Sequence, residues 1–273
     1  MKKRKKMKLI NNCSVIFLLI LSFIALSSCQ ETWPGLNFEQ FQNTEAEELA
    51  YAVKNEDLEE IERLVKIDKV NVNFQEPSKG NMLLKVAILA QKEKAIEKLL
   101  ELGADPNLKD WENDESSFLF ACSNFTIGLT DLDLIKKLVK YGGDVNLPQK
   151  MINEKKVYFQ TPLMLSVDVA VLNPKDELFY YLIDKGADID VYDGRSSNCV
   201  AVKVASSDRM DLLKFLIINK KAKIPEYAQI WDEGTKDEER VSLVQYLQKK
   251  DYEKSSDNNV LRDEILDYLK KNR

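Results

Sequence analysis

The chain contains no histidine. Ser-His and Cys-His nucleophile pairs and imidazole metal sites are therefore excluded, and with them the commonest hydrolytic and zinc chemistries. Glycine is scarce, nine residues in 273, and nothing reads as a phosphate-cradling loop. Long apolar runs are missing too. The longest, VIFLLILSFIAL at 15–26, falls well short of the roughly 20 residues that cross a bilayer core. Acidic residues are plentiful, but pairs such as Asp131 with Asp133 or Glu238 with Glu239 read as solvated faces rather than as acid/base machinery. An enzyme is the weakest functional reading, and neither cofactor nor metal is expected.

The apolar run follows MKKRKKMKLI, a basic start without an acid. A basic segment, a short apolar segment and small residues before a break have the pattern of a secretory signal. The break LSSC, Leu26 to Cys29, resembles the lipobox of bacterial lipoproteins, in which the cysteine becomes the lipidated first residue. The alternative is an ordinary cleaved signal with an incidental cysteine. On the first reading, residues 1–28 are a lipoprotein signal peptide, 29–45 a tether, and Cys29 the membrane attachment. Without the six positive charges of the leader, the net charge falls from -5 to -11. Such an acidic domain argues against nucleic acid, which needs clustered Lys and Arg. Of the remaining cysteines, Cys122 and Cys199 are expected to be unpaired buried thiols.

Downstream, one ending recurs: LLELGADPN at 99–107, LVKYGGDVN at 138–146 and LIDKGADID at 182–190. Apolar residues before each glycine fall at i, i+3, i+4, as at Ile96, Leu99 and Leu100, which is a helical stripe. Gly103, Gly142 and Gly186 then stop each helix, since glycine enters the left-handed region freely. A shorter apolar segment precedes each stripe: MLLKVAILA, SSFLFACSN and TPLMLSVDVA. The unit is loop, helix, turn, helix. A divergent first unit spans 49–73, with Asp68-Lys69 in place of glycine. A degenerate fifth begins near 193, with Lys221 in that place.

With TPLMLS and GADPN together, the chain resembles the ankyrin repeat family, whose units run near 33 residues and open T-P-L-H-x-A. Thr161, Pro162 and Leu163 match that opening; the other openings are degraded and the histidine is absent throughout. The resemblance implies an all-α, ankyrin-repeat solenoid of about five helix-turn-helix units over 46–224. The amphipathic segments within 225–273 would form a C-terminal helical cap. It also implies that loop fingers and the concave face of first helices bind another protein.

Among the loops, QKMINEKKVYFQ at 149–160 is the longest and is able to pair as a short hairpin. Lys155, Lys156, Tyr158 and Phe159 are its candidate contacts, suited to a surface with an apolar centre and an acidic rim. Equally, Tyr158 and Phe159 could pack on a neighbouring loop. Trp111 in KDWENDE, and Tyr192 with Arg195 in VYDGR, occupy comparable loop positions. The expected protein is a monomeric, lipid-anchored envelope protein with a protein partner. The alternative is an immunity protein whose acidic face neutralises a secreted toxin.

Overall fold

The recurring GADPN-type ending is a hydrogen-bonded staple. Asn107 donates its Nδ2 to the Gly142 carbonyl at 2.8 Å and accepts the Asp144 amide on its Oδ1 at 2.8 Å. Asn73 does the same for Gly103 and Asp105, at 3.0 and 2.7 Å. Asn146 does it for Gly186 and Asp188, at 3.1 and 2.7 Å. Asp190 ends the series: its carboxylate accepts the Lys223 amide at 2.7 Å but has no amide group to donate. Each asparagine thus ties its own loop to the next one, thirty or more residues along the chain.

The computed structural model describes residues 36–272 apart from 126, 154–155, 173–175, 193–198, 232–235, 237 and 251–256. Of 153, 156, 169–172 and 231 it describes the backbone alone. The leader, Cys29, Lys155 and Arg195 lie outside the described residues. The chain divides into a unit ending at Gln40 and a larger one over Phe41–Arg273. Within the first, Glu39 donates its amide to Asn37 Oδ1 at 2.9 Å.

The larger unit is mostly helical. Its first ten α-helices come in pairs: α1 (Glu47–Asn55) with α2 (Leu58–Lys66), α3 (Leu83–Leu89) with α4 (Glu93–Glu101), and α5 (Ser117–Phe125) with α6 (Leu132–Lys140). Then come α7 (Pro162–Leu172) with α8 (Glu177–Asp184), and α9 (Val200–Ser206) with α10 (Met210–Lys214), which runs on as a π-helix over Phe215–Asn219. The first helices touch in succession, α1 to α3, α5, α7 and α9. Two further helices follow, α11 (Leu243–Lys249) and α12 (Asp257–Lys271), and α12 packs on α10 and α11.

Among the described residues, two antiparallel strand pairs qualify the all-α expectation. One joins β1 (Gln149–Asn153) to β2 (Lys156–Gln160), and the other joins β3 (Gln229–Trp231) to β4 (Glu239–Val241) within the segment expected to be purely helical. Three-residue strands carry too little alternation to be seen against helical neighbours.

Burial differs between the two helices of a pair. In α4 and α6 one stripe is buried, Ala95, Ile96, Leu99 and Leu100 in the former and Ile135 and Leu138 in the latter. In α3 every residue from Leu83 to Ile88 is buried, and in α5 every residue from Ser117 to Cys122. A helix apolar on all sides is one enclosed on all sides. The expectation that first helices offer an open binding face therefore fails for α3 and α5.

The helix stops follow glycine chemistry even where glycine is missing. Gly103, Gly142 and Gly186 have φ of 95°, 96° and 88°. The next amide reaches back to Leu99, Leu138 or Leu182, each at 2.9 Å. Lys69 and Lys221 stand in the left-handed region at φ 63° and 60°. There the closing bond reaches one residue further back, Val70 to Leu64 and Ala222 to Leu216.

Candidate partner-binding loops

The loops between helix pairs are closed by strand-type pairing. Three close on single antiparallel bridges, Gln75↔Met82, Lys109↔Ser116 and Tyr192↔Cys199. The third loop in chain order, between α6 and α7, instead carries the β1/β2 hairpin, with Gln149 opposite Gln160 and Asn153 opposite Lys156.

In the first loop the buried Glu76 ties the tip together. Its carboxylate accepts from the Ser78 amide at 2.7 Å, the Ser78 hydroxyl at 2.6 Å and the Lys79 amide at 2.7 Å. Burial works against its charge, but these hydrogen bonds and one from Asn81 outweigh it and hold the carboxyl below the usual range.

The second loop leans on the first. Trp111 donates its amide to the Lys79 carbonyl at 2.8 Å, and its ring covers Gly80 so closely that a Cβ there would lie 2.6 Å from Trp111 Cδ2. Trp111 is nonetheless 61 % exposed. Asp110 and Glu115 of the same loop turn inward to Lys85 on α3, with Lys85 Nζ 2.7 Å from Glu115 Oε2 and in contact with Asp110 Oδ2. The ammonium also sits 5.0 Å from the centre of the Phe120 ring. Burial raises the Glu115 carboxyl above its ordinary value despite the adjacent lysine.

The hairpin is joined to the second loop through β1. Lys109 Nζ donates to the Pro148 carbonyl at 2.6 Å, Gln149 Nε2 to the Asn113 carbonyl at 2.9 Å, and the Lys150 amide to Asp114 Oδ2 at 2.8 Å. Cross-strand partners share a face, and neighbours along a strand alternate. The register pairs Lys150 with Phe159 and Ile152 with Val157, so these four lie on one face; Met151 and Tyr158 lie on the other. All four are exposed, Ile152 at 70 %. Tyr158 is half-buried and holds a partner of its own. Tyr158 and Phe159, paired as candidates from sequence, thus point opposite ways.

Of the other candidates, Tyr192 is exposed beside its bridge to Cys199, and burial raises its phenol. Lys156 lies in β2 by its backbone. Trp111 and the hairpin are brought into adjoining loops by the Asn113 and Asp114 contacts. Sequence reasoning missed Ile152, which only the register assigns to the Phe159 face. It also missed the Lys85 cluster, whose one signal was a lysine in the middle of an apolar helix.

Cys122 and Cys199 are free and buried. Burial pushes both thiols upward, which keeps them in the unreactive form. Among the described residues no group of three or more His, Cys, Asp or Glu is placed to hold a metal, and no helix is long and apolar enough to cross a membrane. No protein-family model matches the chain, and no curated protein matches it.

Proposed function

We propose that this chain is an ankyrin-type repeat protein of the bacterial cell envelope, tethered by lipid on Cys29, that binds another protein and performs no catalysis. The observation that carries the binding reading is the outward face of the hairpin. Ile152, Val157 and Phe159 are all exposed there beside Lys150. Contiguous exposed apolar side chains on a soluble domain mark interaction sites, and an aromatic anchor with a basic neighbour suits a partner of opposite charge. The asparagine staples support the repeat reading, because one motif makes one set of bonds three times. The repeats run over 46–224, followed by a cap that holds the β3/β4 pair and the helices α11 and α12.

The test is photo-crosslinking in the native envelope from position 159, with position 260 as control. Val260 is also exposed, but on α12. One defined adduct from 159 and none from 260 is expected; equal adducts from both overturn the reading. A basic secreted protein as that adduct would identify an immunity role, and a resident envelope protein a scaffold. Labelling with an alkyne fatty acid, lost in Cys29→Ser, tests the tether; label that persists in the variant overturns it.

A further inference from the structure

Trp111 is 61 % exposed although its indole is pinned. A Cβ built on Gly80 would lie 2.6 and 2.7 Å from Trp111 Cδ2 and Cγ. Cδ2 is a ring-fusion carbon and Cγ carries the side-chain Cβ, so an atom closest to both stands over the ring plane rather than at its edge. One face of the indole therefore rests on the Gly80 backbone. An exposure of this size then places the opposite face in solvent. The support is itself fixed: Gly80 has φ 77°, its amide donates to the Glu76 carbonyl at 3.0 Å, and its carbonyl accepts from Gln75 Nε2 at 3.0 Å. All residues of the two loops, 74–82 and 108–117, are described. The ring is a held plate with one free side.

Tryptophan holds a cation over its face better than tyrosine or phenylalanine does. Elsewhere this chain sets its own lysines on such rings: Lys85 over Phe120, Lys140 over Tyr141 and Lys250 over Tyr246, at 5.0–5.1 Å. Trp111 has no such cation among the described residues. Lys79 is turned to Glu112 Oε1 at 2.9 Å, and Lys109 to Asp114 Oδ2 at 2.7 Å. The surroundings are acidic, since the two loops and Lys85 together bring three lysines against five carboxylates. That balance favours a cation over a neutral apolar or sugar face. Among cations arginine fits best, because its planar guanidinium stacks on aromatic rings and is more weakly hydrated than an ammonium.

We infer that the free face of Trp111 receives an arginine side chain of a partner protein, with the guanidinium stacked on the indole and its charge met by the acidic loops. This adds an anchor to the partner-binding reading without needing the hairpin face. Crosslinking from position 159 tests that face, and the experiment below tests this ring.

The chain from Cys29 onward with Trp33→Phe and Trp231→Phe leaves Trp111 as its only tryptophan. It is titrated with a ten-residue peptide alternating Arg and Gly, with the same peptide carrying citrulline for Arg, and with a chito-oligosaccharide. The arginine peptide is expected to change Trp111 emission to saturation, and the neutral citrulline peptide to bind at least tenfold more weakly. Calorimetry on the chain with its other tryptophans intact should show at least a tenfold loss in Trp111→Leu, with Trp111→Phe in between and thermal midpoints unchanged. Equal binding of the arginine peptide by Trp111→Leu reports general attraction to an acidic protein and overturns the inference. So do equal binding of the citrulline peptide and the absence of any arginine-peptide effect on the emission. A response to the oligosaccharide alone overturns it in favour of a sugar.

Discussion

Asn107 stands between two loops, donating to the Gly142 carbonyl and accepting from the Asp144 amide, both at 2.8 Å. Removing both bonds in Asn107→Ala should cost about 1–2 kcal/mol, as each intramolecular hydrogen bond contributes about 1. Asn107→Asp keeps the acceptor and should cost less. Urea midpoints for the two variants check the order; equal losses would refute the two-bond account.

Lys69 holds a left-handed conformation at φ 63° without glycine. Lys69→Gly should stabilise the chain by about 0.5–1 kcal/mol, since the left-handed region is costly for a residue with a Cβ. Lys221→Gly should gain less, because it forfeits the Lys221 contact to the Tyr268 hydroxyl at 2.9 Å. Thermal midpoints of both variants decide the point.

Lys85 separates two inward-facing carboxylates. Lys85→Met leaves them without a counter-charge and should destabilise by about 3–5 kcal/mol. Glu115→Gln should cost under about 1 kcal/mol, because Asp110 still holds the lysine and burial already disfavours the Glu115 charge. Denaturant unfolding of the two variants would show a reversed order if the cluster were inert.

The Glu76 carboxyl lies below its ordinary value of 4.5 in the folded chain. Its stabilising contribution is therefore complete above that value and is lost as pH falls through the lower, folded one. Glu115 works with the opposite sign, because its folded value is raised. The difference in urea midpoint between wild type and Glu76→Gln should shrink from pH 6 to pH 3. A difference independent of pH would contradict the ionic role of Glu76.

Helix positions and stops were legible because they rest on local chemistry. The i, i+3, i+4 stripes before Gly103, Gly142 and Gly186 became α4, α6 and α8, and Lys69 and Lys221 took the backbone shape expected of the glycines they replace. What escaped depends on contacts between segments. That Tyr158 and Phe159 face apart follows from the hairpin register, which no local pattern of the sequence fixes. Lys85 meets Asp110 across 25 residues, and no local pattern announces such a pairing. The enclosure of α3 and α5 likewise arises from their neighbours on every side.

The way the hairpin is rooted has a mechanical consequence. A pull on β1 is shared by the Lys150 bond to Asp114 and the Gln149 bond to Asn113, and Lys109 ties the Asp114 carboxylate to Pro148. From there the strain runs through the second loop to Asp110 and into α3 by way of Lys85. Force on the hairpin would thus load a short relay of hydrogen bonds and ion pairs that ends on an enclosed helix.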